Sequence, residues 1–129
     1  MNQNNTNYLK EKYKKIYDKH FFGFSIDNGW FKIIDELLEK IQSYNIKIID
    51  IKEKFGGLRV YTTPYDEEAQ EIINYYESLS YDTCERCGNV GESRPTGWIR
   101  TLCDRCYASK YFQYKSCYKY WNTRYVICG

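Results

Sequence analysis

Ile46-Lys-Ile-Ile-Asp-Ile-Lys-Glu-Lys-Phe55-Gly56-Gly57-Leu58-Arg-Val-Tyr-Thr-Thr63 is the stretch on which the fold turns. β-Branched residues crowd both halves, and a Gly-Gly pair between two such runs predicts a β-hairpin. With Gly56-Gly57 as the loop, Phe55 pairs with Leu58 and the register follows. Ile51, Glu53, Phe55, Leu58, Val60 and Thr62 then share a mostly apolar face turned toward a core. Asp50, Lys52, Lys54, Arg59 and Tyr61 share the opposite face. Pro64 ends the second strand.

On either side of the hairpin the apolar period lengthens to that of a helix. Upstream, Leu9, Tyr13, Ile16, Tyr17 and His20 predict a helix over about Tyr8–Phe21, and the Asn-rich residues 1–7 read as disordered. Residues 23–29 read as a loop, with Asp27 or Asn28 as a cap for the next helix. That helix, about Trp30–Ser43, puts Trp30, Ile33, Ile34, Leu37, Leu38 and Ile41 on one face. Downstream, a third runs over about Asp66–Ser80, with Ala69, Ile72, Ile73, Tyr76 and Leu79 as its stripe. The expected fold is α+β: a helix-helix-β-hairpin-helix domain over residues 8–82, a cysteine module over 83–106 and an aromatic helix over 107–125.

The module reads Cys84-Glu-Arg-Cys87-Gly88, then Cys103-Asp-Arg-Cys106, with fifteen residues between Cys87 and Cys103. Each C-x2-C pair forms a tight knuckle that offers two thiolates to one metal. Two knuckles joined by a short hairpin complete a sulfur tetrahedron around Zn²⁺, the arrangement of a zinc ribbon. Four thiolates leave no position for water, so one structural zinc is expected and not a catalytic one. The competing readings are two disulfides, four unconnected thiols or iron–sulfur ligation by the same residues. Cys117 and Cys128 lack a second C-x2-C and read as plain thiols, against further ligands or a redox pair.

Charge is unevenly spread along the 129 residues. Residues 1–83 hold 11 Lys/Arg against 14 Asp/Glu, net −3, whereas residues 84–129 hold 8 against 3, net +5. An acidic partner for the C-terminal third is one reading. AT-rich coding is the other, since Asn, Ile, Lys and Tyr alone supply 50 residues. No apolar run approaches a membrane span, and Met1-Asn-Gln-Asn-Asn-Thr-Asn7 lacks the basic start and apolar stretch of a secretion signal. A cytoplasmic setting with no membrane partner is the expectation.

Lys52, Lys54, Arg59 and Tyr61 on the outer hairpin face suit phosphate binding and base stacking, against the ordinary solvated face of an antiparallel sheet. Asp50-Ile-Lys52 also matches half of a metal-dependent nuclease motif, with Asp35 or Glu36 as the partner acid, but such triplets are common in a Lys-rich chain. His20, on the apolar side of the first helix, has no catalytic company, so no enzyme is expected. Tyr107, Tyr111, Tyr114, Tyr118, Trp121 and Tyr125 form a helical stripe. It reads as core packed on the domain or as an interface.

The order Gly29-Trp30-Phe31 with Ile33-Ile34-Asp35, then Ile51-Lys-Glu-Lys-Phe-Gly-Gly-Leu-Arg59-Val-Tyr61, Ser80, Thr83-Cys84, Cys87-Gly88, Gly97-Trp98-Ile99 and Thr101-Leu-Cys103 with Cys106 resembles a family of small phage and prophage proteins. The resemblance covers about residues 22–106 and leaves the aromatic tail aside. It implies an accessory protein that acts on the host: a non-enzymatic binder that modulates or inhibits a host nucleic-acid machine, such as a CRISPR–Cas effector. The expected partner is a host protein or nucleoprotein complex. Direct DNA or RNA binding by a zinc-ribbon regulator is the second reading, and the nuclease is the third.

Overall fold

The hairpin forms from β2 (Lys47–Lys54) and β3 (Gly57–Thr63), antiparallel, with its turn one residue earlier than expected. Lys54 pairs with Gly57 and Glu53 with Leu58, so the loop residues are Phe55 and Gly56. Both have positive φ, 54° and 83°, the handedness that a two-residue hairpin turn requires. Gly57 serves a different purpose: the Tyr81 ring lies where its Cβ would stand. Moving the turn by one residue takes Phe55 from β2 and gives Gly57 to β3, so every cross-strand partner shifts by two positions and the two faces are preserved. Ile51, Leu58 and Val60 are buried as expected. Phe55 is not: it sits in the turn and is 67% exposed. Glu53 is half-buried, its carboxylate accepting from the Gly56 N–H at 2.7 Å. A bulge between Ile48 and Asp50 turns both Ile48 and Ile51 inward, although three positions separate them.

The computed structural model describes residues 1–115, and of Thr96 and residues 110–115 the backbone alone. Its fold is mixed α+β, with a three-stranded sheet ordered β1-β2-β3 and a separate two-stranded one. Strand β1 (Phe24–Ser25) runs parallel to β2. Helices α2 (Phe31–Ile41) and α3 (Glu67–Ser80) pack together, and α3 lies against β3. The whole expected stripe of α2, with Trp30 in a short 3-10 turn before it, is buried. Ala69, Ile73 and Tyr76 of α3 meet it over Ile48, Ile51, Leu58 and Val60. Asp66 caps α3, accepting from the Ala69 N–H at 2.8 Å. Among the described residues no helix is long and apolar enough to cross a membrane.

The N-terminal expectation is corrected. Helix α1 spans Gln3–Lys12, so it starts inside residues 1–7, read as disordered, and ends before most of the apolar residues assigned to it. Asn2 caps it through the Asn5 N–H, and Asn28 Oδ1 accepts from the Asn2 N–H at 2.8 Å. The chain then leaves the helix to run beside β2: Ile48 donates to the Ile16 carbonyl, and Asp18 donates back to Ile48. Strand pairing here outweighs the helical period that Ile16 and Tyr17 suggested. His20 lies exposed in the following turn, not on an apolar helix face.

Strand β3 is a sheet edge, and α3 protects it. Ser80 Oγ accepts from the Leu58 N–H, and a Glu77 carboxylate oxygen accepts from the Val60 N–H, each at 2.9 Å. Both outward donors are thereby satisfied and closed to a foreign strand. Burial raises the Glu77 pKa above the ordinary carboxylate range, against the lowering effects of the Val60 N–H and Arg59. A folded pKa raised above the unfolded one favours folding most below the unfolded pKa, and the benefit disappears as pH rises through the folded pKa. Glu77→Gln keeps an acceptor without the ionisation. Its stability relative to the parent should therefore improve as pH rises through and above the ordinary carboxylate range, measured by denaturant unfolding.

Candidate metal centre

After α3 the chain turns at once into the first knuckle. Gly88 donates to the Cys84 carbonyl at 2.9 Å and Cys84 donates to the Asn89 carbonyl at 2.7 Å, closing a loop that aims Cys84 and Cys87 the same way. Strands β4 (Glu92–Thr96) and β5 (Trp98–Leu102) then fold back antiparallel around Gly97. Cys103 follows β5, and Cys106 lies in the first turn of α4 (Asp104–Lys115). The Cys106 N–H points at Cys103 Sγ, 3.4 Å away.

The four sulfurs of Cys84, Cys87, Cys103 and Cys106 lie within 4.8 Å of one another and can hold one metal ion. They are not disulfides: all four are free, and Cys87 Sγ stands 3.6 Å from Cys103 Sγ, far beyond a covalent S–S bond of about 2.05 Å. The Cys106 backbone N–H lowers the Cys103 thiol to about 7, and burial pushes Cys106 up to about 12. Four sulfurs this close cannot all ionise without a cation among them. Leu102 and Tyr107 pack beside the cluster.

The knuckle is seated directly on the α+β domain. The Gly29 N–H donates to the Glu85 carbonyl at 2.6 Å, and a Cβ on Gly29 would collide with the Cys84 and Glu85 backbone. Trp30 is fully buried, with its indole N–H satisfied by the Thr83 carbonyl at 2.9 Å. On the other side of the knuckle, Glu85 donates to the Thr101 carbonyl, and its buried carboxylate meets Arg100 Nε at 2.9 Å. Thr101 Oγ1 donates to the Gly56 carbonyl at 2.7 Å, tying β5 to the tip of the β2–β3 hairpin. Sequence reasoning missed Gly29, Trp30 and Thr101 as the seat of the centre. All three stand among the residues quoted for the resemblance, and Trp30 also on the apolar face of the second helix.

Asp50, Lys52, Lys54, Arg59 and Tyr61 share the outer hairpin face. Lys52 lies directly opposite Arg59. Lys52 sits over the Tyr61 ring at 5.6 Å, Lys54 over Phe55 at 5.7 Å and Arg59 over Tyr81 at 5.8 Å. Tyr81 was not foreseen as part of this surface; it enters from the end of α3. The acids of the nuclease motif are engaged separately. Asp50 faces Lys52 at 3.8 Å, while Asp35 binds the Tyr13 hydroxyl at 2.6 Å and Lys12 at 3.2 Å. Among the described residues the four cysteines are the one group of three or more metal-ligating side chains. Of the expected aromatic helix, residues 107–115 are helical, and Tyr107 packs by the cysteines under Arg94 at 4.7 Å. Tyr118, Trp121, Tyr125, Cys117 and Cys128 lie outside the described residues.

No family model, no curated protein and no solved structure matches the chain.

The seat yields a graded expectation. Gly29→Ala forces a methyl against backbone atoms that cannot move without displacing Cys84, and should cost about 2 kcal/mol or more. Gly57→Ala meets only the Tyr81 ring and should cost less. Equal unfolding free energies for the two variants would contradict the docking described.

Proposed function

We propose that the protein is a non-enzymatic binding module, in which a structural zinc ribbon steadies a β-sheet face that takes up single-stranded nucleic acid. The zinc assignment draws on the 3.6 Å sulfur separation, close to the edge of about 3.8 Å that Zn–S bonds of about 2.3 Å require of a tetrahedron. Cys84, Cys87, Cys103 and Cys106 would fill all four positions, and the metal would supply folding energy only.

One observation carries the binding reading: Lys52 and Arg59 are cross-strand partners of like charge. Such a pair opposes sheet formation, and Asp50, 3.8 Å from Lys52, offsets only part of the two positive charges. A phosphate there relieves the repulsion. Tyr61 and Tyr81, each 40% exposed, offer neighbouring rings on which bases stack. The phage-type resemblance supplies the setting: an accessory protein acting on a host nucleic-acid machine, a CRISPR–Cas effector among the candidates. A second reading, docking to a protein of that machine, draws on Phe55, Trp98 and Ile99, which are 67%, 71% and 42% exposed.

Two measurements test the proposal. Elemental analysis should find about one zinc per chain, and Cys84→Ser or Cys103→Ser should unfold at least residues 84–106. A labelled oligothymidylate should bind with strong salt dependence. Reversing Lys52, Lys54 and Arg59 to Glu should weaken it at least about tenfold while leaving zinc content and melting temperature nearly unchanged, and Tyr61→Ala should cost about 1–3 kcal/mol of binding. Unaltered binding by the triple variant would return the face to scaffolding.

A further inference from the structure

The cysteine module holds four arginines, Arg86, Arg94, Arg100 and Arg105, and three acids, Glu85, Glu92 and Asp104. The acids are all engaged by two of the arginines. Arg94 Nη2 meets Asp104 at 2.6 Å and Glu92 at 3.6 Å, and Arg100 Nε meets Glu85 at 2.9 Å. Arg86 and Arg105 have no acidic partner within ion-pair distance among the described residues. Each is the third residue of a Cys-Xaa-Arg-Cys knuckle, so the two knuckles carry equivalent cations. Both line one open depression of about 320 Å³, together with Cys87, Asn89, Cys106 and Ser109. Asn89 and Ser109 add an amide and a hydroxyl that can donate hydrogen bonds there.

We propose that Arg86 and Arg105 form a second anion site, separate from the hairpin face, which takes a phosphate of the nucleic-acid backbone. Guanidinium groups suit this ligand because their planar donor forks match phosphate oxygens two at a time. The site positions a strand without reading its bases, since nothing aromatic lines the depression. The inference rests on the nucleic-acid reading above and extends the bound path from the sheet to the knuckles. The competing account is that the two cations only offset the negative charge of the thiolates. That account places their effect on metal retention and stability, not on ligand.

The experiment uses the full, zinc-loaded chain and a fluorescent oligothymidylate, titrated across a range of salt concentrations. The variants are Arg86→Gln/Arg105→Gln, Arg86→Lys/Arg105→Lys and the Lys52/Lys54/Arg59 reversal. Losing the one phosphate contact that the pair makes should reduce the slope of log affinity against log salt by about 0.7 on a single strand. Affinity at low salt should fall about tenfold, with zinc content and melting temperature unchanged. The Lys pair should keep the parent slope and lose only part of the affinity. A Gln pair that matches the parent in affinity and slope overturns the second site while the hairpin reading survives. A Gln pair that loses zinc in proportion to binding overturns it in favour of charge balance at the thiolates. A parent protein that binds no oligonucleotide overturns the underlying reading and this site with it.

Discussion

The seating of the cysteine module on the α+β domain turns first on one backbone hydrogen bond, from the Gly29 N–H to the Glu85 carbonyl at 2.6 Å. At this point two main chains meet with no side chain between them, and only glycine at position 29 permits that approach. The bond fixes Cys84, whose own backbone closes the first knuckle. It also places Trp30 beneath that knuckle, where its large apolar surface is buried and its one polar atom is satisfied by Thr83. A 24-residue cysteine module has too little apolar surface for a core of its own (three buried apolar residues form its cluster). It borrows one from the domain.

Trp30 and Gly29 precede the hairpin in sequence, and Thr101 lies between the two knuckles, yet all three converge on the same contact. The hydrogen bond from Thr101 to the Gly56 carbonyl makes the hairpin turn a second support for the module. Gly56 is thereby held from two sides, since its own N–H is taken by Glu53. A turn that uses Phe55 at positive φ is unfavourable for a bulky residue. The contacts made by its neighbour on both sides of the peptide plane hold it in place.

Much of this was legible in the sequence. The helix stripes of α2 and α3 are long and strictly periodic, so their buried faces follow from spacing alone. The cysteine set follows as directly from the paired C-x2-C knuckles. The errors share a cause: long-range contact overrode a local signal. Gly56-Gly57 looked like one turn because two glycines usually serve one purpose, but Gly57 answers to the Tyr81 ring, a contact across 24 positions. Ile16 and Tyr17 fit a helix by period and instead flank β2, because Ile48 offers them backbone partners. Asn2 and Asn5 looked disordered until Asn28 supplied an anchor from 23 or more positions away. Nothing in local propensity encodes such partners.

The same contacts show how a metal held by the four cysteines would bear on the sheet face. Ligation of a metal by Cys103 would fix the end of β5, and Thr101 two residues earlier would carry that constraint to Gly56. From Gly56 the turn sets Lys54 against Gly57 and so Lys52 against Arg59. Tyr81, packed over Gly57 and beneath Arg59, is joined to Cys84 by only two intervening residues. Both routes from the cysteines therefore end on the cation–aromatic surface of the hairpin. Like charges held opposite one another on adjacent strands benefit from such external support, because the pair itself disfavours the sheet. The cysteine centre and the sheet face are in this sense one device, with the metal positions at one end and the repelling cations at the other.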